Sequence, residues 1–405
     1  MSSTLNVIEE KLTQLYKLRD FGTSSSASSR RLQLSQLKEE LFSLLSTLSE
    51  DSSTPKALLW YLRGRCIAGT DNDYEEAESY LSKAIKLDPG LLEAYFYLAD
   101  VYTQQQHWLQ AKQVLEAGIE RNRSAQQLSL LSRVIRHVPA STEVPLNSLL
   151  DQSVALSKEA LDLDLTRGDS WLSYALSLTT RFFRHSTPVL SDLNKAMLAF
   201  NKAQKFEDQQ SNPDLYYNRA QISKYLLNYS GALSDYSKCQ SIDPSFSQAG
   251  DEHSRLLSFV RNTASLNGRI KSLNRKKVEK MTSSILSSFS SEFVTLKTLK
   301  KGIPLALRVF SVISDPSSLP CIVTCYDSTG EPVNVAFYDV DAGAFKGQPV
   351  LSIVNPVINI VNVPVKDRVI TFPVISVINS DGVLINGASF SSEHRTNVEV
   401  VVEKK

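Results

Sequence analysis

Residues 92–125 read LEAYFYLADVYTQQQHWLQAKQVLEAGIERNRSA, and this stretch decides the fold. Tyr95, Ala99, Tyr102, Ala111, Leu115 and Gly118 stand at the fourth, eighth, eleventh, twentieth, twenty-fourth and twenty-seventh places of a 34-residue helix-turn-helix unit. Two helices that cross closely need Ala, Gly or Ser where their backbones approach, and bulk where one pair stacks on the next. The same register begun at Pro213 brings Tyr216, Ala220, Ser223, Ala232, Tyr236, Cys239 and Pro244 to the equivalent places. A third unit carries Trp60 and Gly64, then Ala77, Leu81, Ala84 and Pro89 after one extra turn residue. A fourth carries Trp171, Ala175 and Leu178, then Ala196, Phe200 and Ala203. Its about nine extra residues predict a longer inter-helix loop around Arg181–Pro188.

Five to six such units predict an α-solenoid of the tetratricopeptide type over residues 1–268. The stretches 126–138 and 147–164 read as a degenerate unit, with 5–20 and 31–50 covering one end and the helix from Phe246 capping the other. Composition changes near residue 300 to short Val/Ile runs at 303–314, 319–327, 332–340, 350–361, 369–379 and from 383. Turn signals at Asp315-Pro316, Ser328-Thr329-Gly330 and Asp381-Gly382 separate them. Residues 303–405 are therefore expected to form a small all-β, OB-like barrel of about five strands, closed so that no edge stays open. Residues 269–302 make a basic, Ser-rich linker. In it Arg269, Lys271, Arg275, Lys276, Lys277 and Lys280 face the single acid Glu279 in RIKSLNRKKVEK.

A net charge of +1 argues against a chain that coats nucleic acid, and residues 303–405 carry seven Lys/Arg against ten Asp/Glu. Single-strand binding needs a positive groove with stacking aromatics, so no direct DNA binding is expected of the barrel. The four cysteines and five histidines are scattered, without metal-ligand spacing, and no nucleophile or phosphate-loop motif is present. The pairs Asp162/Asp164 and Asp339/Asp341 read as solvated charges. The expectation is a non-catalytic protein without cofactor or metal. The opening MSSTLNVIEEKLTQLY is an amphipathic helix rather than a secretory signal, and no run is long enough to span a membrane. A soluble protein of cytoplasm and nucleus is expected.

Binding is where the repeats point, because the first helix of each unit lines a concave groove. The register turns Tyr61 and Arg65 inward, then Glu93, Phe96 and Asp100, then Asp169 and Leu172, then Asp214, Tyr217, Gln221, Lys224 and Tyr225, with Asn218 close by. Aromatic surface with charges of both signs suits a short extended peptide. Arg133 and Arg136 in QQLSLLSRVIRHV suit a carboxylate, through the planar guanidinium fork, or else serve surface solubility. The linker reads as a solvated tether, a nuclear-localisation patch or a contact to nucleic-acid phosphates.

The order of parts resembles the tetratricopeptide repeat protein 5 (Strap) family over nearly the whole chain. The segments that carry the likeness are SKAIKLDP followed by LLEAYFYLADVY, then LSRVIR, GDSWLSYALS, SNPDL with NRA, and VINSDGVLINGAS. The resemblance implies an adaptor that reads the nascent tubulin N-terminus (Met-Arg-Glu-Ile or Met-Arg-Glu-Cys) at the ribosome and leads to tubulin mRNA decay. It also implies a cofactor in stress-responsive transcription, which is the alternative reading. Arg136 falls where the family's arginine meets the peptide's acidic side chain. Lys276, with Arg275 and Lys277, falls where the family sets lysines against the ribosome surface, while Asn274 stands at the place of one of those lysines. The groove register makes Asp214 and Asn218 candidates for the peptide's arginine and backbone.

Overall fold

The computed structural model describes residues 2–21, 27–50, 54–70, 73–274, 276, 278, 293–314 and 320–395. Among these are fourteen α-helices followed by seven β-strands. The helices are α1 (Ser2–Phe21), α2 (Ala27–Glu50), α3 (Lys56–Ala68), α4 (Tyr74–Leu87), α5 (Leu92–Gln104), α6 (Trp108–Ile119) and α7 (Ala125–Ile135). They continue with α8 (Leu146–Leu163), α9 (Gly168–Arg184), α10 (Leu190–Ala203), the single turn α11 (Glu207–Gln210), α12 (Pro213–Tyr225), α13 (Tyr229–Ile242) and α14 (Ser247–Lys271). Contacts divide the chain into two compact units. The first holds residues 1–185, 192–215 and 241–244, and the second holds 186–191, 216–240 and 245–405.

From α1 to α9 successive helices pack in sequence order, and α3 also touches α5, α5 touches α7 and α7 touches α9. The small residues of the register sit where they were expected. A Cβ on Gly64 would meet Leu81 Cγ at 2.7 Å, and one on Gly118 would meet Tyr95 Cβ at 3.0 Å. Ala99 and Ala111 are fully buried in this unit, as are Ala220 and Ala232 in the second. Added bulk at such a crossing has nowhere to go. Ala111→Leu is expected to cost about 1–3 kcal/mol by overpacking, read as a lower midpoint in chemical denaturation. An unchanged midpoint would mean that the helices do not cross closely there.

The fourth repeat differs from expectation in where its extra residues go. They lengthen α9 to Arg184, leaving only a short connection before α10. Phe182 is buried, and Arg181 grips Asp192 at the start of α10 through Nε and Nη2, both at 2.8 Å. A buried aromatic and a two-pronged ion pair reward continued helix over loop.

The second unit carries β1 (Pro304–Val312), β2 (Cys321–Tyr326), β3 (Pro332–Phe337), β4 (Val350–Val354), β5 (Ile358–Val365), β6 (Arg368–Val377) and β7 (Val383–Ile385). The strand count exceeds the expected five by two, because the run from 383 forms β7 and the run 350–361 is two strands. Asn355 takes a left-handed φ of 51° and Pro356 has no N–H to donate, so the ladder breaks between them. The sheet order is β5-β6-β3-β2-β1-β4-β7, with β3 and β6 parallel and the other neighbours antiparallel. β5 and β7 each have one neighbour, so the expected closure without edges is not what the hydrogen bonding shows among the described residues. Every residue of β2 and β3 is buried, whereas β5 alternates, which separates covered central strands from a one-faced edge. α14 packs on β2, β3 and β6, and its Ile270 joins Ala306, Tyr326 and Val350 in an apolar cluster. Tyr338 donates to the Tyr225 carbonyl at 3.0 Å, so the last repeat and the β domain share one interior.

Candidate functional site

Ser124 starts α7, its hydroxyl accepting the Gln127 N–H at 3.2 Å. Leu128, Leu131, Val134 and Ile135 bury the helix face, and this register leaves Arg133 49% exposed in its side chain while carrying Arg136 inward to 6%. Arg136 Nη1 donates to Ser177 Oγ at 2.9 Å and to the Ser173 carbonyl at 3.2 Å, both on α9. Arg184 donates to the Arg136 carbonyl at 3.1 Å. Burial first, and then neighbouring Arg133, push the Arg136 guanidinium down to about 9. A guanidinium keeps its proton at neutral pH, so the depression measures the cost of holding this charge inside. No carboxylate pairs with Arg136 among the described residues, and its Nε and Nη2 make no hydrogen bond to them. Neither nitrogen is sealed from solvent.

The surroundings are positive and then, one step away, negative. His137 stacks on Trp108 with ring centroids 4.5 Å apart, and its pKa is lowered by burial and then by Arg136, Arg133 and Arg184. Arg133 lies 3.6 Å from Asp100. Asp214, at the start of α12, stays open to solvent, yet the protein around it raises its carboxyl above the ordinary value. Arg133 opposes that shift and Asp243 adds to it. The first unit therefore gathers Arg133, Arg136, Asp100, Asp214 and Asp243 into a region of alternating charge.

Two expected groove residues, Arg65 and Asp100, are both engaged by α1. Arg65 Nη1 bonds Glu9 at 2.6 Å and the Tyr61 hydroxyl at 3.2 Å, and its guanidinium lies 4.7 Å from the Tyr97 ring centre. Arg19 of α1 donates to Asp100 at 3.0 Å and to the Ala68 carbonyl at 3.2 Å. Charges this deeply buried need partners, and the chain's own first helix supplies them.

Tyr217 and Asn218 belong to the second unit. Tyr217 packs against Phe246 and Tyr236, with centroids 4.9 and 6.0 Å away, and Asn218 is half-buried beside it on α12. Lys276 is exposed, its N–H bonded to Asn274 Oδ1 at 3.2 Å, while Arg275 and Lys277 lie outside the described residues. All four cysteines are buried free thiols, and burial pushes Cys66 up to about 12 and Cys321 up to about 11. Among the described residues no group of three His, Cys, Asp or Glu stands at metal-ligating distance. No described helix is long and apolar enough to cross a membrane. Sequence reasoning missed Arg19, Ser173, Ser177 and Arg184. The serines recur at helical spacing in GDSWLSYALS, which signals a close crossing but not a polar one.

Comparisons with known proteins agree with this architecture. Tetratricopeptide repeat models match residues 70–134 and 213–246, and the model "Tetratricopeptide repeat protein 5 OB fold domain" matches residues 290–399. Tetratricopeptide repeat protein 5 of Homo sapiens is 29% identical over 367 residues, covering 83% of this chain and 82% of that protein. The Mus musculus protein of the same name is 27% identical, with 83% and 82% covered. Among solved structures, YrrB, "a TPR protein with an unusual peptide-binding site", shares 17% identity with a TM-score of 0.35, covering 51% of this chain and 96% of its own. The Cut9–Hcn1 hetero-tetramer shares 14% with a TM-score of 0.44, covering 62% and 48%. Helix pairs, repeat register and β domain together define a tetratricopeptide-repeat protein with a C-terminal OB-fold domain. The chain is similar to tetratricopeptide repeat protein 5 over most of its length, and the OB-fold model that carries that protein's name matches its β domain.

Proposed function

We propose that this chain is a non-catalytic adaptor whose repeat array reads a short peptide carrying an acidic side chain. Its ligand on this reading is the nascent tubulin N-terminus at the ribosome, in cytoplasmic control of tubulin mRNA. The observation that carries the reading is Arg136, a buried guanidinium tethered at Nη1 with no carboxylate partner among the described residues. Burying a charge without a counter-ion lowers stability, and an incoming carboxylate offsets that cost only when bound. Asp214 and Asp243 supply negative charge for a basic side chain, which matches the Arg-Glu order of Met-Arg-Glu-Ile.

Calorimetry of the full chain with Met-Arg-Glu-Ile tests the reading, with Met-Arg-Gln-Ile beside it. Saturable binding of the first and markedly weaker binding of the second is expected, and no binding of either removes the proposal. The ribosome contact is tested separately. Arg275→Glu with Lys276→Glu should abolish a ribosome association that falls steeply with salt, leaving peptide affinity unchanged. Salt-insensitive association would place that contact on another surface.

A further inference from the structure

The hydroxyl of Ser177 sits at the centre of a polar seam joining α7, α8 and α9. Ser177 Oγ donates to the Ser173 carbonyl at 2.8 Å, so its lone pairs are left to accept. Arg136 Nη1 donates to one of them at 2.9 Å, and Ser132 Oγ and Ser153 Oγ lie 2.8 and 3.0 Å from the same oxygen. Ser132 and Ser153 are also held by each other's carbonyls, at 2.8 and 2.9 Å. Elsewhere the array fills its crossings with apolar Ala99 and Ala111, which need no partners. A seam of buried hydroxyls is costly unless fully satisfied, and what distinguishes this one is the arginine it holds.

The tether determines which edge of that arginine is presented. Both Nη1 hydrogens are spent on Ser173 and Ser177, leaving Nε–H and the Nη2–H beside it, the side-on edge of the guanidinium. Three other arginines of this chain close that same edge on an aspartate. The Nε and Nη2 distances are 3.1 and 2.7 Å for Arg167–Asp169, 2.8 and 2.8 Å for Arg181–Asp192, and 2.8 and 2.7 Å for Arg219–Asp235.

We infer that Ser177 is a positioning residue: it holds Nη1 so that the Nε/Nη2 edge of Arg136 receives one ligand carboxylate side-on. This rests on the peptide reading above and names the specificity of that site. The partner is a planar carboxylate, with a neutral amide disfavoured because it cannot accept both bonds.

The test is calorimetry of the full-length Ser177→Ala protein against Met-Arg-Glu-Ile and Met-Arg-Gln-Ile. The substitution leaves Ser132 and Ser153 with carbonyl acceptors and the Ser173 carbonyl with Arg136, so Nη1 is the donor that loses a partner. The glutamate peptide should weaken by about tenfold or more, the size of one charged hydrogen bond, while the glutamine peptide is unaffected. Ser170→Ala, in the same seam but bonded to Ser129 at 3.0 Å, should change neither. Equal weakening of both peptides by Ser177→Ala, or no weakening, overturns the inference. A second readout needs no peptide: nitrogen NMR of the Arg136 side chain should show hindered rotation about Cζ–Nε, lost in Ser177→Ala and kept in Ser170→Ala. Hindered rotation without binding of either peptide would remove the peptide reading and leave the positioning role. Equally free rotation in parent and Ser177→Ala would remove the positioning role.

Discussion

Arg136→Met should reduce binding of Met-Arg-Glu-Ile by about thirtyfold to several thousandfold, and the free protein should melt no lower than the parent. The first expectation follows from the cost of stripping one partner from a desolvated charge pair, about 2–5 kcal/mol. The second follows from the absence of such a pair among the described residues. Among the described residues a serine hydroxyl and a carbonyl are what hold the charge of buried Arg136, so an apolar side chain of similar length removes a penalty. The sign of the pH dependence is fixed by the direction of the shift. A base whose folded pKa is lowered, here to about 9, destabilises the fold in full below about 9. That penalty is relieved as pH climbs from there toward the unfolded value. The advantage of Arg136→Met should therefore be greatest at neutral pH and shrink in alkaline buffer. Calorimetry with both peptides, and thermal melts at neutral and alkaline pH, check the two halves. A variant that binds the glutamate peptide normally would exclude Arg136 from the site. One that melts far below the parent would mean that its charge is already balanced.

Arg219→Leu should produce the opposite balance, a large loss of stability. Arg219 grips Asp235 through two bonds of 2.8 and 2.7 Å between α12 and α13, with both residues buried. Removing the arginine leaves a carboxylate without its bidentate partner inside the last repeat, at a cost of about 3–5 kcal/mol. Such a loss is a large share of the about 5–15 kcal/mol that ordinarily separates folded from unfolded states. The double variant Arg219→Leu, Asp235→Leu should recover most of it, because two apolar side chains of suitable size are tolerated where one unpaired charge is not. Urea denaturation of the parent, both single variants and the double variant decides this. Additive losses would show that the two residues do not act as a pair.

These contrasting arginines mark the limit of what could be read before the structure. The repeat register was legible because helix crossings admit only small residues, and Gly64, Ala99, Ala111 and Gly118 obey that steric rule wherever they stand in the chain. The change to an all-β segment was legible for the same reason, since period-two Val/Ile runs broken by Pro and Gly are local signals. The split of 350–361 was not, because it depends on Asn355 adopting a left-handed backbone ahead of Pro356.

The arginines belong to the other category. Arg65, Arg133 and Arg219 lie on first helices of repeats and Arg136 caps the end of α7, and nothing local distinguishes them. Arg65 is occupied by Glu9, Arg219 by Asp235, and Arg133 lies beside Asp100, whereas Arg136 meets Ser177 in place of an acid. The partners lie 56, 16 and 41 residues away for Arg65, Arg219 and Arg136, so pairing is an outcome of packing. The order of residues by itself determined the repeat, the β domain and the candidate arginine. Only tertiary structure decided which guanidinium is neutralised from within and which meets no carboxylate among the described residues. Electrostatic pairing acts through space over a few ångströms, and the chain supplies those neighbours only after it has folded.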